Sequence, residues 1–238
     1  MKTLIITPTY NESKNILLLI DKIKNHLIDA HILVIDDNSP DKTGEIVEKF
    51  SNSRDDIFLI KRKGKLGLGT AYIAGFKWAI ENNYNVVVQM DADLSHDPKD
   101  IPIMLEYISQ YDLIIGSRYI DGVNVINWPM SRLLLSYFAN IYSRIITGLP
   151  IYDSTGGFKC YKINTLENMP FDSIKSEGYS FQIETTFYSW INNYKIKEIT
   201  IVFTDRTIGE SKMNNNIIYE AVWVVLKLRL KRIFNFLK

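Results

Sequence analysis

Cysteine is almost absent from this chain. Cys160 stands alone among 238 residues, so no intrachain disulfide can form, and the usage fits a reducing compartment. Histidine is scarce too, with three residues. No Cys/His cluster exists, which argues against zinc. Neither sign of charge dominates: 28 Lys and Arg against 27 Asp and Glu leave a formal net charge of +1. Such a balance gives no strong field for nucleic acid, and no nucleic-acid partner is expected. Long apolar runs are missing as well. A membrane span needs about 20 apolar residues. The run from 133 stops at Arg144, and 221–226 lies between Glu220 and Lys227. No transmembrane span is expected. Pro8, Tyr10, Asn11 and Glu12 interrupt the start too early for a signal peptide. There is no internal repeat and no low-complexity linker.

With 46% hydrophobic residues, the chain can bury a full core as one large α/β domain. Its first half alternates strand and helix patterns. Strands are expected at 3–7, 31–35, 57–60 and 86–90, and helices at 13–27, 43–50 and 70–82. Alternation of this kind implies right-handed crossovers and a mainly parallel sheet. Ligands bind such sheets at the carboxyl ends of the strands. Polar clusters follow three of those ends: PTYNE (8–12), DDNSPD (36–41) and DAD (91–93). The second half predicts strands at 112–116 and 196–203 and helices at 131–147 and 177–190. The asparagine run 214–216 predicts a boundary before a C-terminal helix. The expected domains are therefore 1–213 and 214–238.

The segment VVVQMDADLSHDP (86–98) carries the most chemistry. It reads as a buried strand that delivers Asp91 and Asp93 from its end. Two carboxylates one small residue apart suit Mg2+ or Mn2+ shared with a phosphate. A solvated acidic loop is the plain alternative. His96 reads as a solvated loop histidine. Asp36 and Asp41 are also good turn residues in their own right.

PTYNE, IDDNSPDKT, KLGLGTAY, MDADLSHDP, GSRY, STGGFKCY, GYSFQIE and RTIGESK occur in this order. Over residues 3–213 the chain thereby resembles the dolichol-phosphate mannosyltransferases. These belong to the inverting GT-A glycosyltransferase family that includes cellulose and chitin synthases. The resemblance implies a Rossmann-like, nucleotide-sugar-binding α/β fold. It also implies transfer of mannose from GDP-mannose to a dolichyl or polyprenyl phosphate. A UDP-glucose enzyme acting on the same lipid, or an inactive nucleotide-sugar-binding subunit of a membrane complex, are the alternatives. By the same resemblance, Pro8, Tyr10, Glu12, Asp37 and Lys65 wall the nucleotide pocket. Asp93 holds the metal, Asp91 holds the ribose or the metal, and Ser95 is a poorer metal ligand. Arg118, Arg132 and Ser136 take the acceptor's phosphate, Arg132 and Ser136 from one helix face. Arg206 and Lys212 neutralise the departing diphosphate from a loop that Gly209 lets close. Asp93, Arg118 and Arg206 form the catalytic set. Glu184 meets sugar hydroxyls or is a buried partner.

The end of the chain bears on the lipid. Leu226, Leu230, Ile233 and Leu237 recur at helical spacing, with Lys227, Lys231, Arg232 and Lys238 on the other side. Such a helix lies on an anionic membrane surface, or it docks on the domain or on a small membrane-anchoring subunit. The almost uncharged helix at 131–147 is a lipid-facing wall or a core helix. The expected location is peripheral, on a cytoplasm-facing membrane.

Overall fold

The computed structural model describes residues 1–205 and 215–236, the last segment with side chains over 219–233. Strand and helix alternate first: β1 (Thr3–Thr9), α1 (Ile16–His26), β2 (His31–Asp36), α2 (Thr43–Ser51), β3 (Ile57–Lys61), α3 (Leu68–Glu81) and β4 (Val86–Gln89). Then come α4 (Ile101–Tyr107), β5 (Leu113–Ser117), β6 (Val125–Ile126), α5 (Met130–Thr147), β7 (Lys159–Lys162) and α6 (Ile163–Glu167). The chain continues with α7 (Gly178–Ile191), β8 (Ile196–Thr200), β9 (Phe203–Thr204) and α8 (Asn215–Phe236).

Seven described strands form one sheet in the order β3-β2-β1-β4-β7-β5-β8. Every pair is parallel except those that β7 makes with β4 and β5. The central stretches of β1, β2, β4 and β5 are nearly continuous apolar runs because helices cover both faces. One core layer joins Ile6, Leu33 and Val87 to Tyr72, Phe76 and Phe181 from the helices. The other joins Ile5, Val34 and Val88 to Ile16, Ile20 and Met104. Gly75 lets α3 come close to the sheet, since a Cβ there would lie 2.7 Å from both Ile35 and Ile6.

The order reverses at β1. Strands β2 and β3 extend to one side of it, and β4 lies on the other. This is a topological switch point, where a crevice opens beyond the strand ends. Pro8 and Tyr10 stand on one side of it, Asp91 and Asp93 on the other.

Two expectations about strands need correction. The strand expected over 196–203 breaks at Thr200. Phe203 turns away to pack against His96 and Trp128, and β9 pairs with β6 in a separate ribbon. Strand β7 was not expected at all. It inserts antiparallel between β4 and β5 and brings the turn 153–158 to the carboxyl end of β4.

Helices α5 and α8 each take one of the placements left open for them, although α8 docks by another face. On α5 the buried residues are polar: Asn140, Ser143 and Thr147. Its exposed side carries Met130, Leu134, Tyr137, Phe138 and Ile145. It is therefore not a core helix. Helix α8 docks on the domain through Val225 and Leu228, each burial worth about 1.5–3 kcal/mol. Lys231 Nζ donates to Tyr188 Oη at 2.8 Å, and Arg232 donates to the Thr147 carbonyl at 2.7 Å. Those two cations were expected on the free side. Instead Leu226, Leu230 and Ile233 face outward, with Tyr219 and Trp223. Among the described residues no helix is long and apolar enough to cross a membrane.

Candidate functional site

The strand ends build a polar cleft of about 220 Å³. Pro8, Tyr10, Glu12, Asp37, Lys65, Asp91 and Asp93 all line it, with Gly67, Leu68 and Ala71 from the start of α3. Local chemistry explains the arrangement. Asp36 is buried, and accepts from Thr9 Oγ1 and from the amide and hydroxyl of Ser39. Asp41 accepts from Ser13 and Thr43. These two aspartates fasten the turns that carry their neighbours. Asp37 is left to face the cleft. Its carboxylate pairs with Arg62 and accepts the Leu66 amide at 3.0 Å, which ties down the loop bearing Lys65. Lys65 Nζ sits 4.6 Å over the Tyr10 ring. Glu12 accepts from Asn15 Nδ2 at 2.8 Å, so it also shapes the entry to α1.

Asp91 accepts from Tyr72 Oη at 2.8 Å. Tyr72 is fully buried and stacks on Phe76 and Phe181. Burial and the charge of Asp91 push its phenol well up, so it stays a donor. The next turn is strained: Leu94 takes φ 63°, a region that non-glycine residues rarely occupy and that collects at functional sites. Ser95 N donates to Asp93 Oδ1 at 3.1 Å. The Ser95 hydroxyl is buried and has no hydrogen-bond partner. His96 is not solvated as expected. It is 3% exposed and packs against Phe158 and Phe203, and burial lowers its pKa. Among the described residues no group of three His, Cys, Asp or Glu could hold an ion alone. The donor set of Asp91, Asp93 and a buried hydroxyl fits a hard divalent ion whose other ligands come from a phosphate and water.

A second cavity, about 250 Å³, lies between α5, α7 and α8. Leu135, Phe138, Ala139, Ile183, Val222 and Val225 make it almost wholly apolar, with Arg132 and Ser136 on its wall. Arg132 is bound to Asp205 at 2.8 Å and lies over the Trp128 ring. Its Nε is buried without a hydrogen-bond partner. Ser136 Oγ accepts from Tyr119 Oη at 2.8 Å.

Arg118, expected to hold the acceptor's phosphate and to join in the reaction, has a different position. Its guanidinium is buried and makes two bonds to Asp153, at 2.7 and 2.6 Å, and one to Thr155. That geometry fixes the turn after residue 153. Glu184 takes the second of its two expected places: it is buried, accepts from Ser176 Oγ, and does not line the polar cleft. Arg206, Gly209 and Lys212 lie outside the described residues. Arg62, Tyr72 and Asp153 were missed. Tyr72 stood within KLGLGTAY, and its partner is 19 positions away.

The turn 153–157 joins the two cavities. Thr155 is on the wall of the apolar one. A Cβ at Gly157 would lie 3.3 Å from Asp91 Oδ2. The sequence profile described as Glycosyl transferase family 2 matches residues 4–170. The chain belongs to that family.

Two curated relatives match almost end to end. Undecaprenyl-phosphate mannosyltransferase of Micrococcus luteus is 41% identical over 222 residues, 93% of this chain and 91% of the relative. Polyprenol monophosphomannose synthase of Mycolicibacterium smegmatis is 42% identical over 226 residues, 94% and 85% of the two chains. Among solved structures, glucosyl-3-phosphoglycerate synthase from Mycobacterium tuberculosis, in complex with Mn2+, UDP-glucose and phosphoglyceric acid, has a TM-score of 0.71 at 15% identity. It covers 96% of this chain and 79% of its own. That likeness is one of fold. The family match takes in the polar cleft and α5, whereas α7, β8 and α8 lie beyond it.

Proposed function

We propose that the chain transfers mannose from GDP-mannose to a polyprenyl (dolichyl-type) phosphate with inversion, using Mg2+ or Mn2+. The observation that carries this reading is the meeting of an acidic cleft and an apolar cavity at one turn. Gly157 abuts Asp91, and Thr155, two residues earlier, lines the cavity beside Arg132. A charged sugar donor and a greasy acceptor need such adjacent and unlike environments. The names of the two relatives agree in both transfer and acceptor.

In this reading Pro8, Tyr10, Glu12, Asp37 and Lys65 hold the nucleotide. Asp91, Asp93 and Ser95 would hold the ion, which would supply positive charge beside the departing diphosphate. Arg206 and Lys212 are assigned to that same diphosphate. The buried orphan Nε of Arg132 and the hydroxyl of Ser136 receive the acceptor's phosphate. A phosphate monoester has its second pKa near ~6 and is largely dianionic at neutral pH, so no general base is required. The chain's task is to aim that oxygen at the anomeric carbon.

Helices α5 and α8 expose their apolar sides, which suits a protein lying on a cytoplasm-facing membrane or against a small anchoring subunit.

The test is transfer of labelled mannose from GDP-mannose to a short, soluble isoprenyl phosphate. Transfer should require Mn2+ or Mg2+ and stop in excess chelator, and Asp93→Ala should abolish it with the fold retained. Wild-type rates in chelator would remove the metal from the scheme. Tighter binding of UDP than GDP would move the donor to a UDP-hexose.

A further inference from the structure

Helix α3 opens without a cap of its own. Its N-cap residue, Gly67, has no side chain to offer, and its first turn holds no acidic residue. The first amides of a helix need acceptors from elsewhere. Gly69 N donates to Glu177 Oε2 at 2.9 Å, from 108 positions away. A carboxylate at this end of the helix is also favoured by its dipole.

The fit around this bond is close. Gly67 takes φ +97°, and a Cβ there would overlap the Glu177 carboxyl group. A Cβ at Gly69 would lie 2.6 Å from the Ser176 carbonyl oxygen. The two glycines are therefore shaped by the segment behind them. That segment is itself held twice. Ser176 Oγ donates to Glu184, and Glu177 N donates to Glu220 Oε1 of α8 at 2.9 Å. On its other side, Gly67 lines the polar cleft with Asp91 and Asp93. Arg62 donates to the Gly67 carbonyl at 2.9 Å while pairing with Asp37.

We propose that Glu177 is a positioning residue for the nucleotide pocket, fixing the Gly67–Gly69 turn from behind and joining it to α8 through Glu220. The proposal rests on the reading of the polar cleft as the donor pocket and goes beyond it. It links the helix that walls the apolar cavity to the loop that walls the polar one. Without the carboxylate, Gly69 loses its acceptor and the first turn of α3 loosens where the nucleotide lies. Glu184, buried beneath Ser176, supports the same segment.

The experiment measures binding of GDP with Mn2+ by calorimetry, for wild type, Glu177→Ala, Glu177→Gln and Glu220→Ala. It also measures KM for GDP-mannose and for a short isoprenyl phosphate separately. Glu177→Ala should weaken GDP about tenfold, the loss expected for a hydrogen bond to a charged group. Glu177→Gln should recover most of it, because its amide oxygen still accepts from Gly69. Glu220→Ala should weaken GDP about threefold, and the acceptor KM should stay unchanged in all three. Unaltered GDP binding in Glu177→Ala overturns the proposal. Equal losses for donor and acceptor overturn it too, as does a glutamine variant as weak as the alanine one. Should Glu177→Ala fail to fold, Glu220→Ala decides: unchanged GDP binding there overturns the link. A wild-type chain that binds no nucleoside diphosphate removes the donor-pocket reading and the proposal together.

Discussion

Arg118 is a buried cation, 3% exposed, gripped by Asp153 through two nitrogens and surrounded by Tyr119, Trp128 and Phe203. Removing one partner of such a pair strands the other charge. Arg118→Ala should therefore cost about 3–5 kcal/mol of stability, read from urea denaturation. Arg132→Ala removes an ion pair at the rim of a cavity. It should cost far less stability and instead raise KM for polyprenyl phosphate, with GDP affinity unchanged. If Arg118→Ala unfolds at the wild-type urea concentration, its assignment to the frame of the site is wrong. Sequence could not separate the two arginines, because Asp153 is 35 positions from Arg118 and Asp205 is 73 from Arg132. The cleft residues were legible for the opposite reason. Pro8 sits near the carboxyl end of β1, and Tyr10, Asp37, Asp91 and Asp93 come soon after strand ends, so a short local pattern fixes where they emerge. Glu177 had no such signal, since what it caps lies 108 positions away.

Elements built from local periodicity were read closely; those defined by partners were not. β1 to β4 and the helices between them fall within a few residues of expectation because apolar runs and helical spacing are local properties. β7 has four residues, two of them lysines, and exists because β4 and β5 flank it. Helix α8 was read as amphipathic, but its faces were transposed, since Val225 and Leu228 were not distinguishable from Leu226 and Leu230 without α5 and α7. The exposed stripe Tyr219, Trp223, Leu226, Leu230 and Ile233 still lies on one side of the helix. Replacing Trp223 and Leu230 together by glutamate should abolish sedimentation with anionic vesicles. Activity on a short, soluble isoprenyl phosphate should remain within about twofold, because neither side chain lines the cavity. Undiminished sedimentation would show that another surface carries the attachment.

At the scale of the whole molecule, buried carboxyls set opposing slopes of stability with pH. Burial raises Glu177, Glu184 and Glu198 above their ordinary 4.5. In the window just above that value the native state holds protons that the unfolded chain has released, so stability climbs as pH falls through it. Asp153 runs the other way. Burial pushes it up, but Arg118 and its hydrogen bonds outweigh that and hold it below 3.8. Its contribution is present above 3.8 and is lost as pH falls through its lower native value. His31 and His96, lowered below 6.5, oppose that climb, because the unfolded imidazoles take up protons first as pH falls. The unopposed prediction is a fall of stability below the ordinary aspartate value, as Asp153 is protonated. Urea midpoints measured across the range should trace this shape. Midpoints that stay level from about pH 4 to about pH 2 would contradict it.

The antiparallel insertion of β7 also has a consequence during synthesis. Gln89, at the end of β4, pairs with Lys159, which leaves the ribosome 70 residues later. At ~5–20 residues per second, that delay lasts ~4–14 s. Throughout it, β4 offers an unpaired edge, and Asp91 waits for the turn that brings Gly157 against it. The nascent chain is thus most exposed to mispairing with other copies after its first half has folded and before its nucleotide cleft is complete.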